Sequence, residues 1–192
     1  MLTLLLTAGC SSDDPRFQDD TLYIGGFRGR PPEVGRANFD NISYWDGDGV
    51  PGAPSIQISL DEQKAFFYKG GELVGVSAIS AGREGFSTPA GHYKIIQKNR
   101  HHKSNLYGDY VDPVTGAVVE KDIGVRSDPK PPGTVFDGAS MPYFMRIVGG
   151  VGMHEGFLPG YPASHGCIRL PGFMAKAFFH HVEIGTPVTV TP

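Results

Sequence analysis

Between Ser55 and Ser80 the chain reads "SIQISLDEQKAFFYKGGELVGVSAIS", and this stretch constrains the fold more than any other. Ile56, Ile58 and Leu60 recur at every second position, so an extended chain would carry all three on one face. "DEQ" can turn the chain, "KAFFYK" reads as a second strand, and the Gly70-Gly71 pair precedes a third in "ELVGVSAIS". Three strands joined by short turns make an antiparallel meander. One apolar face of such a sheet must be covered by other elements. The 27 glycines and 16 prolines of the 192-residue chain supply many turns and suit a mainly β fold with long loops better than a helix bundle. A chain of this length buries one sizeable core, so one full domain is expected.

Further strands follow. "STPAGHYKIIQK" offers a Pro-Gly turn into a strand, and "RIVGGVGMHEG" one or two short strands broken by glycines, with His154 where the last ends. Residues 99–143 are polar, with turn signals at "DPVTG" and "DPKPPG". That is long for a connection inside a compact domain and reads as a lid-like insertion over a site. "MPYFMRI", just upstream of the site, reads equally as core or as cleft wall. In "PGFMAKAFFHHVEIG", Met174, Ala177, Phe178 and His181 fall at helical spacing, with Pro171 before and Gly185 after; this is one amphipathic helix. "TPVTVT" alternates Val188 and Val190 as a closing strand.

The 17 basic and 20 acidic residues give a net charge of -3 without long runs, so there is no electrostatic footprint for nucleic acid. Residues 1–10, "MLTLLLTAGC", are apolar and end in small residues before Cys10, with a polar stretch after, as an export signal ends. The run from Leu6 to Cys10 resembles a bacterial lipoprotein cleavage box, which implies a lipid on Cys10, a periplasm-facing envelope location and, with Ser11 next, the outer membrane. A buried Cys10 at an ordinary N-terminus is the alternative. Residues 11–54, rich in Gly, Pro, Asp and Arg, read as a tether and irregular leading segment; residues 55–192 form the folded domain. No other stretch approaches a membrane span.

"HEGFLPGYPASHGCIRL", residues 154–170, gathers the reactive groups. A thiol attacks carbonyls as its thiolate and needs a base, nearby positive charge and peptide N–H groups for the oxyanion. Gly166 permits a tight turn that exposes Cys167 and aims the Gly166 and Cys167 amides together, and Arg169 adds charge. Zinc is the second possibility, since His154, His165 and Cys167 are all potential ligands. Their spacing matches neither CxxC nor HExxH patterns, so no metal is expected. A Cys10–Cys167 disulfide is the third. The pairs His101-His102 and His180-His181 read as structural, because neighbouring side chains diverge.

"MHEGFLPGYPASHGCIRLP" resembles the signature of the L,D-transpeptidase catalytic domain, a histidine followed by a Ser/Thr-x-Gly-Cys-x-Arg motif. The meander and "GTPVTV" are similar to that family's opening and closing strands, so the resemblance spans residues 55–192. It implies a sandwich-like or barrel-like β domain with Cys167 as nucleophile and His154 as general acid and base. The backbone carbonyl of Glu155 would orient the imidazole. Gly166 and Cys167 would form the oxyanion hole, with His165, Ser164 and Arg169 around it. The implied donor is a peptidoglycan stem tetrapeptide that loses D-alanine. The acceptor would be a second stem peptide or a lysine of an envelope protein, or water in a hydrolase of the same fold. No cofactor is implied.

Overall fold

The computed structural model describes residues 40–192. The cleavage box, Cys10 and residues 11–39 of the tether and leading segment lie outside the described residues. In chain order the first strands are β1 (Tyr44–Trp45), β2 (Pro54–Ser59), β3 (Lys64–Lys69), β4 (Glu72–Ala78) and β5 (Gly91–Lys94). Then come β6 (Gln97–Val111), β7 (Val118–Gly124), β8 (Val135–Val148), β9 (Val151–Glu155) and β10 (Ile168–Leu170). The helix α1 (Gly172–His181) and β11 (Pro187–Thr191) complete the fold.

The meander forms as its alternation dictates. β2, β3 and β4 pair antiparallel in sequence order. Gly70 and Gly71 both adopt positive φ (+58° and +89°), the backbone a tight two-residue hairpin turn requires. Ile56, Ile58, Ala65, Phe67 and Val74 turn inward and are buried. The closing strand β11 inserts between β2, to which it is parallel, and β5, so the first sheet runs β1-β4-β3-β2-β11-β5.

The second sheet runs β10-β9-β8-β6-β7. Its apolar side chains, among them Phe144, Met145, Ile147, Met153, Ile168 and Leu170, are buried, and all but Phe144 join the first sheet's inner face in one core. The described residues are thus mainly β, a two-sheet sandwich with a single helix among them, after Cys167. α1 closes one flank against β8, β9 and β1, burying Met174, Ala175 and Phe178. Each such fully buried large apolar side chain contributes about 1.5–3 kcal/mol. His181 packs against the core: its ring lies 4.7 Å from Trp45, and its Nδ1 donates to the Ala177 carbonyl (2.8 Å).

Two regions differ from the sequence reading. Residues 99–143 flank the cleft as expected of a lid-like insertion, but they are strands rather than loop: β6, β7 and β8 form an extension of the second sheet. Both turn signals are real, since "DPVTG" joins β6 to β7, where Asp112 Oδ1 accepts from the amides of Val114 and Thr115. The flanks carry polar residues on both faces, so no period-two pattern marks them. The stretch read as an irregular leading segment contains β1, which pairs with β4. Trp45 packs edge-on against Phe67 (5.0 Å), and the buried Lys69 ammonium donates to the Gly47 carbonyl (2.6 Å). Two residues are too few to leave a periodic signature. In "MPYFMRI" both readings hold: Met145 and Ile147 are core, while Met141 and Arg146 line the cleft.

Candidate active site

The sheet itself brings the reactive groups together. β9 and β10 are parallel neighbours, with Arg169 opposite His154. Side chains alternate along a strand, so Arg169 and His154 share a face, and Cys167, two positions earlier, shares it too. Ile168, Leu170 and Met153 point the other way, into the core. From strand spacing and rise, the Cα atoms of Cys167 and His154 lie about 8 Å apart, within reach of two side chains that face the same space. Both line a cleft of about 770 Å³ between β6, β8, β9 and β10, together with Ser164, His165, Arg169 and Glu155.

His154 is 6% exposed. Its Nδ1 lies 2.7 Å from the Glu155 carbonyl oxygen. A carbonyl only accepts, so Nδ1 carries the proton and Nε2 is left with a lone pair, the tautomer a base requires. Burial lowers its pKa to about 4; the Glu155 carbonyl opposes that shift, and the Arg169 guanidinium and the coupled titration of His102 add to it. The imidazole is therefore neutral at pH 7. Burial also pushes the Cys167 thiol up, while a backbone N–H of Gly152 and the guanidinium groups of Arg146 and Arg169 draw it back down. The thiol donates to the Gly150 carbonyl (3.6 Å). At rest both groups are uncharged, with cations placed to stabilise a thiolate once it forms.

The turn ahead of Cys167 is fixed from two sides. Gly166 has φ +107°, a conformation that a β-carbon disfavours. Ser164 Oγ accepts from the Gly166 N–H (3.0 Å) and donates to the Cys167 carbonyl, tying the turn internally. From outside, Thr88 Oγ1 donates to the Gly166 carbonyl (2.8 Å) and accepts from the Gly82 N–H (2.9 Å), with Thr88 3% exposed. The Gly166 N–H, which the resemblance assigns to an oxyanion hole, donates here to Ser164 Oγ. The Cys167 amide remains the candidate donor from this turn.

His165 is placed as a wall rather than as a second base. Its ring stacks on Tyr107 (4.2 Å, 17°) and meets Phe86 edge-on (4.8 Å, 78°). Its Nε2 lies 2.7 Å from Arg83 Nη2. A guanidinium only donates, so this nitrogen is the acceptor and the ring is neutral; burial and Arg83 both lower its pKa. Among the described residues no group of His, Cys, Asp and Glu side chains converges as a metal site.

The sequence reading missed Thr88, Arg83 and Tyr107, and it read as structural His102, which lines the cleft stacked on Phe144 (4.2 Å). Thr88 sits in "STPAG", where only the turn was legible. Tyr107 reaches His165 because the β6–β8 pairing jumps from Lys103↔Ser140 to Gly108↔Gly138, looping out the residues between. Ser104 Oγ holds that loop by accepting from the amides of Leu106 and Tyr107.

A thiol and a tautomer-fixed histidine that face one cleft from adjoining strands are the parts a cysteine acyl-transfer site needs. The sequence model of the L,D-transpeptidase catalytic domain (YkuD) matches residues 53–190, and the chain belongs to that family. Among solved structures, it is similar to an L,D-transpeptidase from Mycobacterium smegmatis (TM-score 0.53, 19% identity, 73% of this chain and 59% of that one). It is also similar to one from Xylanimonas cellulosilytica (TM-score 0.53, 21% identity, 74% and 62%). A third is a cysteine-to-serine variant of the Enterococcus faecium L,D-transpeptidase (TM-score 0.51, 27% identity, 73% and 50%). The chain spans half to three fifths of these solved chains. No curated protein sequence matches it.

Proposed function

We propose that this protein is a peptidoglycan L,D-transpeptidase of the cell envelope, with Cys167 as nucleophile and His154 as general base and acid. The observation that supports it most is the shared face of β9 and β10, on which a thiol and a histidine with a free Nε2 meet over one cleft. The donor is a stem tetrapeptide of the wall. His154 Nε2 takes the thiol proton as sulfur attacks the carbonyl of the diamino acid, and the Cys167 N–H receives the oxyanion. On collapse, the imidazolium returns that proton to the departing nitrogen, D-alanine leaves and a thioester remains.

The acceptor amine then attacks the thioester; His154 Nε2 takes its proton and delivers it to the thiolate as the new amide forms. Arg146 and Arg169 stabilise sulfur's negative charge at both ends of the cycle. Acceptors are a second stem peptide, giving a cross-link, or a lysine of an envelope protein, giving a tether. Attack by water makes the same centre a hydrolase. A lipid on Cys10 would hold the domain at the outer membrane, facing the wall.

The test is product analysis with a stem tetrapeptide and an added amine. Free D-alanine should appear together with an equal amount of new amide, and neither should appear with Cys167→Ala or His154→Ala. D-alanine without amide would make the enzyme a hydrolase, and no D-alanine from any tetrapeptide would refute the reading. A solved relative of 26% identity is an avibactam carbamoyl enzyme, which supports trying that reagent as a probe of Cys167.

A further inference from the structure

One short segment, residues 79–83, holds the motif that carries Cys167. It follows β4, and Ser80 and Ala81 in it are buried. Ser80 and Arg169 exchange backbone hydrogen bonds (3.0 Å each), and Ser80 Oγ donates to the Tyr161 carbonyl (2.8 Å). The Ala81 carbonyl accepts from the N–H groups of Ala163 and Ser164 (3.1 and 3.0 Å), and the Arg83 N–H donates to the Ser164 carbonyl (3.0 Å). Gly82 lies against the turn itself: a β-carbon on it would come 3.0 Å from Gly166 Cα. These contacts fall on both sides of Cys167 in sequence, so a shift of the segment moves the thiol.

The segment is itself held by a residue far from Cys167 in sequence. Gln63 closes the turn between β2 and β3, and its backbone carbonyl accepts from the Ile79 N–H (2.9 Å). Its side-chain amide is engaged at both ends. Oε1 accepts from the Ala81 N–H (2.9 Å), and Nε2 donates to the Leu60 carbonyl (2.6 Å). Gln63 also has φ +51°, a left-handed conformation that glycine would adopt without strain. Strain of this kind persists only where the surroundings over-determine the residue, as these three hydrogen bonds do. What glutamine supplies here and glycine cannot is the link to Ala81. Ala81 is the node of the relay. Its N–H is fixed by Gln63, and its carbonyl fixes Ser164, whose hydroxyl ties the Gly166 N–H and the Cys167 carbonyl.

Resting on the reading of Cys167 as nucleophile, we infer that Gln63 is a positioning residue for the reaction. Gln63 does not line the cleft and touches no reacting atom. Through Ala81 and Ser164 it sets where the Cys167 sulfur stands relative to His154 Nε2. Without its side chain the segment relaxes and the sulfur drifts from its base. Attack then slows, while the cleft that binds the donor keeps its lining.

The experiment uses the full chain with Gln63→Asn, Gln63→Gly and, in the same turn, Glu62→Gly. Asparagine and glycine both accept the left-handed backbone, and neither is long enough to bridge Ala81 and Leu60. Glu62 is exposed and pairs with Lys64 (2.9 Å), so its replacement loosens the turn without touching Ala81. Urea unfolding sets the conditions in which each variant is folded, and two readouts are taken there. One is kcat and KM for D-alanine release from a stem tetrapeptide; the other is the rate at which iodoacetamide alkylates Cys167 at pH 7. Both Gln63 variants should lose about tenfold or more in kcat with KM within about twofold, since a misplacement of about 1 Å costs up to about a hundredfold. Alkylation should slow by about tenfold as well, because His154 no longer meets the thiol proton. Glu62→Gly should leave both readouts within about twofold. Unchanged kcat or unchanged alkylation in the Gln63 variants, a loss confined to KM, or an equal loss in Glu62→Gly would overturn the assignment. Slowed alkylation in the variants of a protein that releases no D-alanine would refute the transpeptidase reading and leave the positioning role standing. D-alanine release with both readouts unchanged would do the reverse.

Discussion

His154 should make the protein lose stability as pH falls from 7 to 4, by an amount the structure sets. In the unfolded chain the imidazole takes a proton near pH 6.5; in the folded chain burial delays this to about pH 4. Between these values the unfolded state binds more protons, so stability declines as pH drops through the window and levels off below pH 4, where both states are protonated. A gap of about two and a half pH units, at about 1.36 kcal/mol each, is about 3 kcal/mol. His154→Asn removes the titration and keeps an N–H for the Glu155 carbonyl. Urea unfolding can be followed by fluorescence of Trp45, the chain's one tryptophan, which packs between Phe67 and Phe178. The difference in unfolding free energy between wild type and variant should shrink by about 3 kcal/mol from pH 7 to pH 4. Parallel curves would refute a buried, neutral His154.

Thr88→Val removes both hydrogen bonds that tie the Gly166 turn to Gly82; unfolding should cost about 1–3 kcal/mol less and D-alanine release should slow, with Thr88→Ser restoring both. Glu155→Gln should leave turnover within about twofold, because the imidazole is held by the backbone carbonyl at that position and not by the carboxylate; a large loss in kcat would assign the side chain a role. Phe178→Ala empties a fully buried site between Phe67 and Trp45 and should lower stability by about 3–5 kcal/mol in denaturant titration, with the catalytic pH profile unchanged.

What could be read in advance follows from which interactions are local in sequence. The β2–β4 meander and α1 each bury one face, so Ile56, Ile58, Met174 and Phe178 stand at the right period. His154 and Cys167 were legible because both lie within one short stretch and their chemistry needs each other. β6 and β7 were not, because they extend a sheet whose outer part is bordered by cleft and solvent, so polar residues occupy both faces. Nor were Thr88, Arg83 and Tyr107, whose partners Gly166 and His165 lie far away in sequence and meet them only through sheet pairing and the looped-out residues of β6. The hydrogen bond from the Gly166 N–H to Ser164 Oγ was not legible either, because the motif alone does not say which way that amide turns.

The most direct test is intact-mass spectrometry of the protein mixed with a stem tetrapeptide and quenched in acid, followed by peptide mapping. The account predicts an adduct equal to the tetrapeptide minus D-alanine, carried by Cys167 as a hydroxylamine-labile thioester and missing from Cys167→Ala. An adduct on another residue, or D-alanine released with Cys167 replaced, would contradict it.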